Sequence, residues 1–447
     1  MPPPAMPTRR TFLDSAALAG LGAFWSGWQH AEAGSISRAG KARSVILIFN
    51  AGAPSHLDLW DLKPDAPAEV RGLFRPVATS APGVRVGELL PHMARQMHRC
   101  AVVRTVHHTH TQHNSGMYWS IVGRPYRVDN TLINPSRGDY PSFGTLVGWL
   151  AQRDGYSGAL PPYVITPFPH CDSSVYITPG QFGGALGGRY DPFVVNADPG
   201  SPAFRVAGFA PAPELSAGRL RTRDALLSRL DRPGGLSVAG GEEVAGNRRR
   251  ALSLVESRDV QKAFDLSREP ASVRDRYGRH SWGQSHLLAR RLIESGVRFV
   301  TTVNGPSITW DTHEDNFDQM KNRLAPPMDQ AFAALLDDLA ARGLLDSTLI
   351  VWMGDFGRTP LINKKAGRDH WPQCYPALVC GAGVKRGHVF GASDKIGAYP
   401  AADPVRPEDL SATLFHLLGI DPTTEVNDAL NRPLPISPGR VIEGVLA

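Results

Sequence analysis

Apolar positions along this chain follow two alternating patterns. Val45 to Phe49 is an unbroken apolar run of strand length, closed by a Gly/Pro turn, which suits a central strand of a parallel sheet covered on both faces. "GALPPYVITP" ends in a second such run, "YVIT". "SWGQSHLLARRLIESGVRFVTTVNG" reads as an amphipathic helix, a glycine stop and a strand. "PPMDQAFAALLDDLAARGLLDSTLIVWMGDFG" repeats that plan, with Pro-Pro at the helix start, Gly343 at its stop and a strand from Thr348 to Met353. "YPALVCGAG" predicts another strand and "RPEDLSATLFHLLGI" another helix. Helices alternating with apolar strands predict an α/β fold: a mainly parallel central sheet with helices on both faces.

Two regions depart from this pattern. Residues from about 196 to 280 carry "DPGSPAF", "APAPEL" and "DRPGGLSVAGGEEVAG" between Arg- and Glu-rich helical stretches, and read as a cap or insertion on the sheet. Residues 1–33 contain Arg9-Arg10, then Phe12-Leu13, a mildly apolar stretch and Ala31-Glu32-Ala33. That order predicts a twin-arginine export signal with an Ala-x-Ala cleavage site, hence a periplasmic or secreted location. Its apolar stretch is interrupted by glycine and too short to span a bilayer. The α/β domain is expected over 44–447.

Composition narrows the partners. The 447 residues include 48 Lys+Arg and 42 Asp+Glu, a net charge of +6 that is mostly scattered. The one dense basic run, "NRRR" at 247–250, suits a solvated helix face, so no nucleic-acid partner is implied. None of the four cysteines, Cys100, Cys171, Cys374 and Cys380, forms Cys-x-x-Cys. Buried free thiols are the expectation, because two cysteines along one strand rarely bridge each other.

Candidate chemistry lies in four places, each near the end of a predicted strand. They are "FNAGAPSHLDLWD" with Asn50, Ser55, His56, Asp58 and Asp61; "HHTHTQHNSGMYWSIVG" with His107, His108, His110, His113 and Ser115; "TTVNGPSITWDTHEDN" with Asp311 and His313; and Asp355 with Asp369-His370. Asp and His are favoured ligands of zinc, manganese and iron. Each group alone has a plainer reading. Asp369-His370 is a capping pair, Asp311 caps a turn, the histidines form a solvated loop, and Ser115-Gly116 starts a helix. Their recurrence at one end of successive strand–helix units favours a site.

"GAPSHLDLWDLKPDAP", "RHSWGQSHLLARRLIESGVRFV", "WDTHEDN", "DDLAARGLLDSTLIVWMGDFGRTP" and "AGRDHWP" together resemble the domain of unknown function 1501 family. That family looks like a branch of the alkaline phosphatase/sulfatase superfamily of metal-dependent hydrolases of phosphate or sulfate esters. The resemblance implies a divalent metal, one or two ions of Zn, Mn or Ca, held by Asp311, His313, Asp355 and His370, with Asn50 in the place of a first-strand ligand. It puts His113 in the nucleophile slot with Ser115 two residues on; separately, the loop "GRTPLINKKAGR" is expected to fold back over the strand ends, where Arg358 would hold the oxyanion. Lys364, Lys365 and Arg368 would join Arg358 at the mouth. Phe356 stands where the superfamily has a histidine, and no Cys-x-Pro-Ser-Arg occurs, which disfavours a formylglycine sulfatase. The implied partner is an anionic small-molecule or polysaccharide ester. Phe356 and Asn50 also support a rival reading: a non-catalytic periplasmic binding or assembly protein that keeps the fold.

Overall fold

The computed structural model describes residues 40–172, 176–206, 217–230, 241–305 and 307–447. The export segment expected at 1–33 lies outside them. An eight-stranded sheet forms the centre. Its strands are β1 (Ser44–Asn50), β2 (Cys100–Val106), β3 (Tyr163–Thr166), β4 (Phe193–Val194), β5 (Phe299–Val303), β6 (Thr348–Gly354), β7 (Tyr375–Gly381) and β8 (His388–Phe390). Their spatial order is β8-β2-β7-β6-β1-β5-β3-β4. Every neighbouring pair is parallel except the two made by β7, which runs antiparallel to both β6 and β2. The sheet is therefore mainly parallel, as the apolar runs predict.

Five longer helices cover it: α1 (His113–Val122), α2 (Phe143–Arg153), α3 (Ser281–Glu294), α4 (Ala325–Ala341) and α5 (Pro407–Leu417). Alternate residues of β1 enter separate cores. Ile46 and Ile48 join Leu288, Phe332 and Leu336 of α3 and α4. Val45, Leu47 and Phe49 join Met117, Leu146 and Phe415 of α1, α2 and α5. That two-sided burial is why the strand reads as unbroken apolar sequence. Gly343, at φ 69°, takes the left-handed position that ends α4 and lets the chain turn into β6.

Among the described residues, four α-helices lie between β4 and α3, at Ala217–Leu230, Gly241–Glu256, Arg258–Phe264 and Ala271–Tyr277. The last two are part of the core: Val260, Phe264 and Tyr277 are buried. Buried Arg290 of α3 fastens them, with its Nη2 2.8 Å from Glu269 Oε2 and its Nε 2.9 Å from Asp338 Oδ2. Tyr277 donates its hydroxyl to the same Asp338 oxygen at 3.0 Å. Among the described residues, no helix is long and apolar enough to cross a membrane.

Topology decides where chemistry can gather. β1, β2, β5 and β6 run the same way, so their C-terminal ends share one edge of the sheet. β7 runs the other way and starts there. The segments after β2, β5 and β6 and the one before β7 therefore meet at that edge, where α/β folds place their sites.

Candidate metal centre

Three imidazoles and one carboxylate converge at this edge. His113 opens α1 after β2, Asp311 and His313 follow β5, and His370 precedes β7. Asp311 Oδ1 lies 3.4 Å from His113 Nε2, 3.1 Å from His313 Nε2 and 3.3 Å from His370 Nε2. His113, Asp311 and His370 each present a ligand atom within 4.8 Å of the others. Their side chains are 5%, 18% and 20% exposed and that of His313 is 41%, so the cluster opens to solvent on the His313 side.

Each imidazole has its other nitrogen fixed. Nδ1 of His113 is 2.5 Å from Asp355 Oδ2, Nδ1 of His313 is 2.6 Å from Asp369 Oδ1, and Nδ1 of His370 is 2.6 Å from the Thr111 carbonyl oxygen. A carbonyl and a carboxylate only accept, so each Nδ1 carries a proton and Nε2 is the nitrogen left to face inward. The two Nε2 atoms of His313 and His370 come within 3.0 Å, an arrangement that needs positive charge between them. The buried Nε2 of His113 has no hydrogen-bond partner of good geometry, and neither has Oδ1 of Asp355.

Electrostatics show the same demand. Burial disfavours a charged His113, but Asp355 and Asp311 outweigh it and raise its pKa to about 9. A hydrogen bond to Asp311 raises His313 as well. Burial pushes Asp311 up, yet the three histidines beside it and the charge of Arg358 hold it far below the usual carboxylate range. Burial lowers His370, keeping it neutral. Without an ion, protons on His113 and His313 balance the carboxylates. A divalent cation can replace them, as metal binding at imidazoles releases protons. The donor set of three imidazole nitrogens and a carboxylate oxygen fits zinc or a similar transition metal, and the oxygen donors that calcium prefers are too few.

The remaining candidates are placed as follows. Asp355 is buried directly after β6 and orients His113, the outer-carboxylate arrangement common behind a ligating histidine. Asn50 spends its amide on the Met353 carbonyl at 3.1 Å, and its oxygen accepts from Asn304 at 3.0 Å. Ser115 donates to Asp129 Oδ1 at 2.7 Å. Arg358 is fully buried; it donates to the carbonyls of Ala53, Gly52 and Arg368 and to Asp311 Oδ1 at 2.5 Å. Its guanidinium therefore holds Asp311 and has no donor turned to the mouth. Arg368 does not line the mouth either. It is buried against Asp58, Nε to Oδ2 2.9 Å, because the carbonyls of Val70, Thr359 and Pro360 take its other donors. Lys365 is exposed and pairs with Glu314.

Gly357–Arg358 pairs antiparallel with His370–Trp371, so the loop between them folds back and delivers His370 to the cluster. The Asp369-His370 pair is divided: His370 enters the cluster while Asp369 anchors His313. Of the four clustered histidines only His113 enters the centre. His108 bonds the Asp355 carbonyl at 2.7 Å and stacks on Trp119. Phe356 stacks on His113 with ring centroids 5.0 Å apart. Gly116 makes room for it, since a Cβ there would lie 2.9 Å from Phe356 Cδ1.

Two contributors carry no sequence signal. The Thr111 carbonyl is backbone, and Asp172 sits on a two-residue strand without a motif. Burial raises Asp172, His113 pulls it down, and Asp311 and Asp355 push it up again, leaving it above the usual range.

A family model described as "Protein of unknown function (DUF1501)" matches residues 42–446. No curated protein matches the chain. Among solved structures, Ps i-CgsB in complex with k-i-k-neocarrahexaose is similar at 13% identity and TM-score 0.39, over 85% of this chain and 72% of that one. The phosphonate monoester hydrolase SpPMH from Silicibacter pomeroyi is similar at 14% identity and TM-score 0.36, over 90% and 76%. The lipoteichoic acid synthase LtaP from Listeria monocytogenes is similar at 11% identity and TM-score 0.37, over 90% and 76%.

Proposed function

The chain belongs to the DUF1501 family, and on that premise we propose that it is an exported, metal-dependent hydrolase of a phosphate or sulfate ester. One observation carries the reading: three imidazoles, each anchored through Nδ1, aim Nε2 at a single carboxylate oxygen. His113, Asp311, His313 and His370 hold the ion in this proposal. When bound, it supplies Lewis-acid charge at an ester oxygen and lowers the pKa of a water.

The chain's own residues do the rest. Asp355 fixes the His113 tautomer, and Arg358 fixes Asp311 while offsetting its charge. The N-terminal turn of α1 points its dipole at the same place, which favours an anionic substrate. Ser115 is committed to Asp129, so water is the nucleophile in this proposal. Arg9-Arg10 supports the export part of the reading.

A second reading keeps the metal and drops the catalysis: a binding or assembly protein with one structural ion. Phe356, packed against His113, and the fully buried Arg358 favour it.

One experiment separates the two. The full chain, purified without a histidine tag, is assayed for bound metal. It is then screened against phosphomonoesters, phosphodiesters and sulfate esters with Zn, Mn and Ca in turn. Metal-restored hydrolysis that is lost in Asp311→Asn supports the enzyme. Stoichiometric metal without turnover of any ester supports the binding protein. No metal affinity sinks both.

A further inference from the structure

Cys100 and Cys380 face each other across the antiparallel ladder of β2 and β7, at directly paired positions. Both side chains point to the same face of the sheet, into the core shared with α3 and α4, and both are fully buried. Their sulfurs are 2.8 Å apart. That is inside the ~3.5–4.0 Å at which even smaller, unbonded carbon atoms rest. Paired strand residues hold their Cα atoms about 4.5–5.5 Å apart, within the ~4.4–6.8 Å a disulfide spans. Cys171 stands opposite Ile177 in its strand pairing. Cys374 Sγ faces the Arg104 carbonyl, and Cys171 lies on the short strand by Asp172.

We infer that Cys100 and Cys380 form a cross-strand disulfide when the chain meets a disulfide oxidant. The step is thiol–disulfide exchange. One cysteine, as thiolate, attacks the oxidant's sulfur and expels a thiolate. The second cysteine then attacks the mixed disulfide and expels the other. The cysteine pair loses two electrons, the oxidant disulfide gains them and becomes two thiols, and the two cysteine protons end on those thiols. Burial sets the timing: exchange has to happen while the ladder is open, and the bond is then sealed from reductant. It joins residues 280 apart in sequence, on the strands that lead to His113 and follow His370. The inference is independent of the hydrolase reading.

The test follows the bond itself. The full chain is unfolded, reduced, refolded with oxidised glutathione, and compared with the protein as purified from an oxidising compartment. Each sample is then unfolded without reductant, alkylated and cut with trypsin. The expected product joins residues 100–104 to residues 369–385, with Cys374 and Cys171 alkylated. Fragmentation of the larger peptide separates Cys374 from Cys380. In native protein the bond raises Tm by about 5 °C or more over the reduced form. That difference disappears in Cys380→Ser, while Cys374→Ser keeps it. Alkylation of Cys100 and Cys380 in every oxidised sample, or a link through Cys171 or Cys374, overturns the inference. The linked peptide is read in wild-type protein, so a poorly folding variant does not change the outcome.

Discussion

Nδ1 of His113 and Oδ2 of Asp355 stand 2.5 Å apart with both side chains closed off from solvent, although 242 residues separate them in sequence. The carboxylate can only accept, so the imidazole's remaining nitrogen has nowhere to turn but toward Asp311. The pair converts a strand-tip aspartate into a device that aims a histidine.

Asp355→Asn keeps the hydrogen bond and removes the charge. Metal affinity is expected to fall about 10–100-fold, with the fold intact. His370→Ala removes a ligand and should abolish the metal-dependent rise in Tm seen in wild type. The measurement is thermal melting of all three proteins with chelator and with added zinc. An equal rise in all three would exclude this role. A loss of about 0.5–2 kcal/mol that ignores the metal would mark the residues as simple caps.

The buried pair of Arg368 and Asp58 ties the loop after β6 to the segment after β1. Ser55 and Asn316 also donate to Asp58, at 2.6 and 2.9 Å. Asp58→Ala strands a guanidinium in the core and should cost about 3–5 kcal/mol in urea unfolding. Metal affinity should fall too, since this loop delivers His370. Unchanged stability would mean that the carbonyls around Arg368 satisfy it alone.

Gly116→Ala normally strengthens a helix by about 0.5–1 kcal/mol. Here the new methyl meets Phe356 at 2.9 Å, and the predicted result is a net loss of about 1–3 kcal/mol with weaker metal binding. Denaturant unfolding and a zinc titration check both halves. A stabilised variant with normal zinc affinity would show that Phe356 yields freely.

His170 is fully buried, stacked on Phe49 at 4.5 Å, and burial lowers its pKa to about 3. Its folded pKa lies below the unfolded value of 6.5, so the unfolded chain takes the proton first. The contribution of His170 to stability is complete above about pH 6.5 and falls by about 1.4 kcal/mol per unit as pH drops toward 4. His170→Phe should flatten that slope by one proton while keeping the stack. Chemical denaturation at several pH values between about 4 and 7.5 measures it, and an unaltered slope would contradict the assignment.

The proposed export rests on Arg9-Arg10. Replacing both with lysine should leave unprocessed precursor in the cytoplasm, read by fractionation and N-terminal sequencing. Normal export of the double variant would rule out the twin-arginine route.

The strands β1 and β6 are legible in sequence because both their faces are buried, which leaves an unmistakable apolar run. The direction of β7 is not, since "YPALVCG" has the same apolar character whichever way it runs. Asp311, His313, Asp355 and His370 stand out as Asp and His residues near strand ends. Their division into cluster members and an outer carboxylate depends on which imidazole nitrogen meets which acceptor, and spacing does not carry that. Arg358 and Arg368 read as mouth residues in sequence because they sit on the loop that folds back over the strand ends and could hold an anionic ester. Their burial follows from the carbonyls of Gly52, Ala53 and Val70, and backbone acceptors have no letter in the sequence.

Positions 113, 311 and 370 belong to three stretches that touch only after the strands between them have taken their places in the sheet. A half-folded chain can offer the clustered histidines of 107–113, but not Asp311 and His370 beside them. On the proposed metal-binding reading, ion retention is a certificate of completed folding. A chain that keeps its metal through dialysis has closed every crossover between β2 and β7.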